Sequence, residues 1–150
     1  MTTYALVKLI HMFLAIGAIG ANLTYGVWFA MANADPSTAS FALRGIKFID
    51  DRIANPAYIL LLPTGAFMVW LGGYSFTTHW ILAAMILWAI AIAVAYAVYT
   101  PTLTKQIAAV ESEGIHGPEA RRLGRRGQIV AGILAVLVIA IVILMVFKPA

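Results

Sequence analysis

Lys8 and His11 stand one helical turn apart at the head of an apolar stretch, and they are the residues of this chain whose types and spacing best suit chemistry. A histidine within an apolar helix is rare, because hydrocarbon does not solvate its ring, and by default it marks a function or a dedicated partner. A helix opening at Tyr4 places His11 roughly 10 Å deep at 1.5 Å per residue. Lys8 lies closer to the surface and can extend its ammonium group to water. At 100° per residue His11, Ala15, Ala18, Asn22 and Tyr25 fall on one polar or small stripe, which should face other helices rather than lipid. Gly17, Gly20 and Ala21 extend that close-contact surface. Two chemistries fit His11. It can lock helix packing through a hydrogen bond, or it can serve as a haem axial ligand or proton-handling group. Haem needs one or two axial ligands and an apolar slot between helices. Met68 and Met85 fall roughly 8–12 Å from the same surface by the same rise, so either reaches the depth of His11 as a candidate partner for haem b.

The remaining polar residues suggest less. His79 falls in a surface turn and His116 between glycines in a charged loop, and the three histidines have no metal-ligand spacing. The absence of cysteine excludes disulfides, thiolate metal sites and covalent haem attachment. No glycine spacing suits a phosphate loop, and no nucleic-acid partner is implied. All acidic residues fall in the charged loops, so no span is expected to hold the carboxylate of a proton-coupled transporter. Arg121, Arg122, Arg125 and Arg126 form a cluster suited to anionic lipid headgroups. No catalytic constellation emerges, which favours a non-enzymatic protein.

The elements that must position these groups are membrane helices. Of 150 residues 63% are apolar and 11% charged. A water-soluble domain carries about 25% charged residues. Residues 9–34, 53–104 and 127–147 contain no Asp, Glu, Lys or Arg. About 20 residues cross the hydrocarbon as a helix, so the pattern predicts an all-α membrane protein: a single domain, residues 1–150, forming an antiparallel bundle of four transmembrane helices at about 4–31, 56–76, 80–100 and 127–147. Asp35-Pro36 reads as the cap and first position of an amphipathic segment lying on the interface between helices one and two, with Ala42, Ile46, Ile49 and Ile53 on its apolar face. Asn55-Pro56 reads as the start of helix two, which Pro63 kinks and which ends near Phe76. Gly65, Gly72 and Gly73 invite close approach of a neighbour. A short turn, Thr77–His79, makes helices two and three a hairpin. Pro101 kinks or ends helix three, and the segment from Leu103 to Ser112 can continue as helix. Trp28, Trp80, Tyr4, Tyr74 and Tyr99 sit near span ends as interfacial anchors, and Trp70 and Trp88 read as packing residues.

The charges give an orientation. Eight of the ten basic residues fall in the two loops 32–55 and 101–126, and the formal net charge is +4. The positive-inside rule places those loops in the cytoplasm and both termini outside. The lipid bilayer, read as a bacterial inner membrane, is the first partner, and the small-residue faces leave room for a homo-oligomer or a larger membrane complex. Ala30-Met31-Ala32 resembles a signal-peptidase site, but the apolar core ahead of it is long and its leading residues lack the usual basic charge.

Lys8-Leu9-Ile10-His11 followed by Gly17 and Gly20, the Asn55-Pro56-Ala57 entry, the Pro63-Thr64-Gly65 step, Trp80 and the tyrosine-rich end of helix three together resemble a bacterial family of four-helix membrane proteins, domain of unknown function 2269. That resemblance implies the fold and carries no activity. The Lys-x-x-His opening alone is also similar to the copper-resistance D family and to the membrane-bound haem-b protoporphyrinogen oxidases, where a histidine of the first helix is implicated in haem binding. Three functions follow as expectations: a structural or accessory membrane subunit, a haem-b redox protein with His11 as axial ligand, and a metal or small-solute permease.

Overall fold

The computed structural model describes residues 2–149, and the described residues form four long helices: α1 (Thr3–Ala34), α2 (Pro36–Leu71), α3 (His79–Glu113) and α4 (Pro118–Phe147). All four are long and apolar enough to cross a membrane. Thr2 caps α1 by accepting from Ala5 N at 3.3 Å. Asp35 caps α2, accepting from Ser37 N at 3.0 Å and from Ser37 Oγ at 2.6 Å, with Pro36 at the first position. Those two hydrogen bonds hold the Asp35 carboxyl below the ordinary aspartate range. α2 ends earlier than the sequence suggests. Gly73 takes a left-handed φ of 67°, Tyr74 N reaches back to Val69 O at 3.0 Å and Gly73 N to Trp70 O at 3.2 Å. This double return bond needs a residue free of a Cβ clash, and the Gly72-Gly73 pair supplies it, so that the helix ends at Leu71, five residues before Phe76. Gly114, at φ 78°, ends α3. The Glu113 carboxylate then crosses the turn to accept from Ala120 N at 2.7 Å, capping α4.

Asn55-Pro56 starts no helix, and Pro101 ends none. The backbone of α2 runs on through a wide π turn at Asp50–Ala54, and that of α3 through another at Ala95–Tyr99. In each, the residue before the proline donates five residues back: Asn55 N to Asp50 O and Thr100 N to Ala95 O. The proline ring clashes with the carbonyl four residues earlier in a regular α turn, and the wider turn gives that carbonyl room. The extra residue also rotates everything before it. Ala42, Leu43 and Ile46 are buried as the helical spacing requires, but Asp50 and Ala54 follow them inward while Ile53 is 48% exposed. The amphipathic segment therefore does not lie flat on an interface. It is the first part of α2, and its apolar stripe is used up against protein.

α1 packs along α2, and α3 along α4. The two pairs meet at the end that carries the charged residues, the basic end. There Leu43 and Ile46 of α2 join Leu103 and Val110 of α3, Leu123 of α4 and Ala32 of α1 in one core. Arg44 Nε donates to Glu111 Oε1 at 2.8 Å across the outside of this contact. Trp28 is held in the fold by its ring, which stands 3.4 Å from where a Cβ on Gly45 would be. At the opposite, apolar end, Tyr74 and Trp80 meet edge to face with centroids 5.9 Å apart, and Lys148 Nζ lies 5.6 Å from each ring. Between the ends protein buries little. Only 6% of the apolar window of α4 is buried, and Val136 and Val146 point away from the bundle. Trp70 likewise is 68% exposed, stacked on Phe67 rather than packed inside.

Because the shared core sits at the basic end, Leu43→Ala should lower unfolding stability in mixed micelles by about 2–5 kcal/mol, the usual range for emptying a packed leucine site. Val136→Ala, on the outward face of α4, should stay within about 0.5 kcal/mol. Equal losses at the two positions would place the core elsewhere.

Candidate functional site

Between the two helix pairs lies a cavity of about 360 Å³ to which all four helices contribute. Its wall on α4 runs from Gln128 to Ile141, about 20 Å at 1.5 Å per residue, so it is a slot along the bundle. Toward the apolar end it is walled by residues such as Ile92, Val138 and Ile139. Toward the basic end Tyr25, Asp50, Asn55 and Tyr99 line it. The basic-end core closes the bundle beyond them.

The two π turns build this polar end. Asp50 opens one of them and is only 5% exposed. Tyr25 OH donates to its Oδ1 at 3.1 Å and Asn55 Nδ2 to its Oδ2 at 3.0 Å. Asn55 thus binds residue 50 twice, by backbone across the turn and by side chain. The three ion pairs among the described residues are Arg44 with Glu111, Lys47 with Asp51 and Arg122 with Glu119, so Asp50 is in none of them. Tyr99 closes the other π turn. It is 5% exposed, and its hydroxyl is enclosed with no hydrogen-bond partner, as is the neighbouring Thr100 Oγ1. An enclosed polar group without a partner is uncommon in a native fold, and it points to a water, ion or ligand that completes it. Farther along the slot Asn22 Nδ2 donates to Tyr58 OH at 2.8 Å, and Trp88 Nε1 donates to Tyr58 O at 3.0 Å. These two bonds tie α1 to α2 and α2 to α3 across the slot.

The stripe predicted on α1 is the face that meets the bundle: Ala18 and Tyr25 are buried and Asn22 is bonded. Gly17 and Gly20 have nothing within 4 Å of an added Cβ, so they are not the close-contact points. Gly65 is, with His11 Cε1 at 3.2 Å. Gly72 meets its own Tyr74, and Gly73 serves the turn. His11 Nδ1 lies 2.8 Å from Thr64 Oγ1, which also reaches Leu60 O at 2.8 Å. A hydroxyl has one proton. With that proton donated to Leu60 O, His11 Nδ1–H is the donor, and Nε2 has no hydrogen-bond partner among the described residues. Met68 follows Thr64 by about one turn on α2, whereas Met85 stands on α3, whose packing partner is α4. His79 and His116 are exposed. Arg121, Arg125 and Arg126 project from the first turns of α4, while Arg122 Nε bonds Glu119 at 2.8 Å.

Two expectations need correction. Asp50 is not a loop residue. It sits inside continuous helix about 30 Å along the axis from Leu71, at the inner edge of a hydrocarbon-length segment. Tyr99 is no interfacial anchor but a buried wall of the cavity. The signal for Asp50 was present: it continues the spacing of Ala39, Ala42, Leu43 and Ile46 onto the inward face.

Four lipid-length apolar helices around a polar cluster define an integral membrane protein, and comparison with known sequences agrees. Residues 5–149 match the family described as predicted integral membrane protein (DUF2269), and the chain belongs to that family. No curated protein and no solved structure matches the chain.

Proposed function

We propose that the protein is a non-enzymatic membrane subunit that holds a slender, mainly apolar small molecule in the slot between its helix pairs. The observation that carries this reading is the enclosed, partnerless Tyr99 hydroxyl on the wall of a cavity that also takes in the buried Asp50 carboxylate. At about 360 Å³ the cavity is of the size small-molecule sites have, and like them it is mostly apolar with a few convergent polar groups. The scaffold role expected from the sequence fits the same surface, since α4 offers most of its apolar length to lipid or to another subunit. A permease would need this slot to open at both ends, and the packed basic-end core weighs against that.

A second reading rests on His11. With Nδ1 fixed by Thr64, its Nε2 is free to ligate, which is how a protein commonly orients an axial or metal-bound imidazole. The orientation proposed is the one the charges support. The basic segments lie at one end of the bundle, and Thr3 and Phe147 lie at the other with Tyr74, Trp80 and Lys148, so segments 32–55 and 101–126 face the cytoplasm.

Three measurements test these readings. In vesicles, with Trp28, Trp70 and Trp80 replaced by Phe, 12-bromododecanol should quench Trp88 saturably, and Ala91→Phe should weaken that binding at least about tenfold by filling the slot. Linear quenching that Ala91→Phe leaves unchanged would remove the binding role. Protein expressed with ample haem should show a Soret band that His11→Ala abolishes if the second reading holds; no band removes it. A reporter active only outside the cytoplasm, fused after Ala150, should be active, and a silent fusion beside an active cytoplasmic one would invert the topology.

A further inference from the structure

Resting on the reading of the slot as a binding site, we infer that its ligand is an organic cation: a protonated amine on a single apolar tail. The Asp50 carboxylate receives one neutral donor on each oxygen, Tyr25 OH and Asn55 Nδ2. A carboxylate offers about four acceptor positions, so roughly half remain open. It also makes no ion pair among the described residues. Of the basic residues nearest in sequence, Arg52 lies over the Phe48 ring and Lys47 is paired with Asp51, and among the described residues no Lys, Arg or His lines the cavity. A buried carboxylate without a counter-ion is costly, so it either takes up a proton or is bound to a cation, and an ammonium head supplies the second. The Tyr99 hydroxyl has lone pairs to accept a second N–H from the same head group. Tyr25 and Tyr99 line the slot at its Asp50 end, so aromatic rings, which attract cations, stand beside the place where an ammonium would sit, with Tyr58 and Trp88 farther along.

The same wall selects against other ligands. A carboxylate or phosphate head would meet Asp50 with like charge and find no basic side chain. A neutral alcohol would satisfy Tyr99 but leave the Asp50 charge as it is. The cavity of about 360 Å³ is drawn out over about 20 Å, which is narrow and suits one chain rather than a two-tailed lipid.

The test uses the full chain with Trp88 as its only tryptophan, reconstituted in phosphatidylcholine vesicles, and three twelve-carbon probes brominated at the far end and headed by ammonium, hydroxyl or carboxylate. Trp88 quenching should give the ammonium probe an affinity at least about tenfold above the alcohol, with no saturable binding of the carboxylate. Asp50→Asn should bring the ammonium probe down to the level of the alcohol. If Asp50→Asn does not fold, Tyr99→Phe serves instead, with a drop of at least about threefold for the ammonium probe. Equal affinities for ammonium and alcohol, or an ammonium affinity indifferent to these substitutions, would overturn the inference while the slot remains a binding site. If none of the three probes binds saturably in a way that Ala91→Phe blocks, the binding role itself falls and the cation with it.

Discussion

A chain inside hydrocarbon has no water to complete its backbone hydrogen bonds, so every amide and carbonyl there must find a partner within the protein. That constraint shapes α2 and α3. Each contains an X-Pro step near the middle of its length, and in water each could end a helix and let a solvated loop take over. Here both helices continue, and the disturbance is absorbed by a π turn in which the residue before proline bonds five residues back. Wide turns of this kind are frequent at functional sites. In this protein they carry the two groups that give the cavity its polar end, Asp50 and Tyr99.

The stabilising contacts divide by solvent. At the basic end, where the helices extend past a hydrocarbon length, Leu43, Ile46, Leu103 and Leu123 bury apolar surface against one another as a water-soluble core does. Along the spans that driving force is missing, because lipid tails are as apolar as leucine. There the helices are joined by a few directed bonds, His11 to Thr64, Asn22 to Tyr58 and Trp88 to the Tyr58 carbonyl, and by close approach at Gly65. Strong closure at one end and sparse contacts along the spans leave room for a slot between the helix pairs. A single carboxylate there, held by neutral donors and matched by no basic side chain, gives an otherwise apolar space a chemical preference.

The sequence alone determined the solvent, the number of spans and the inward face of α1, because charge-free length and helical period are properties of local composition. It also showed Asp35-Pro36 as a helix start, since a cap and a proline act within one turn. It showed His11 as a residue needing a partner but not that Thr64 would be the partner, 53 residues away. Only the tertiary structure decided that Asn55-Pro56 lies within a helix. The same dipeptide suits a cap or a π turn, and the choice depends on whether the preceding segment finds a core to pack on, which Leu43 and Ile46 do against α3. That choice turned Asp50 inward and brought it to a cavity shared with Tyr99, a residue of another helix. Neither the enclosed hydroxyl nor the uncompensated charge is visible in a linear pattern, because each is defined by what the other three helices fail to supply.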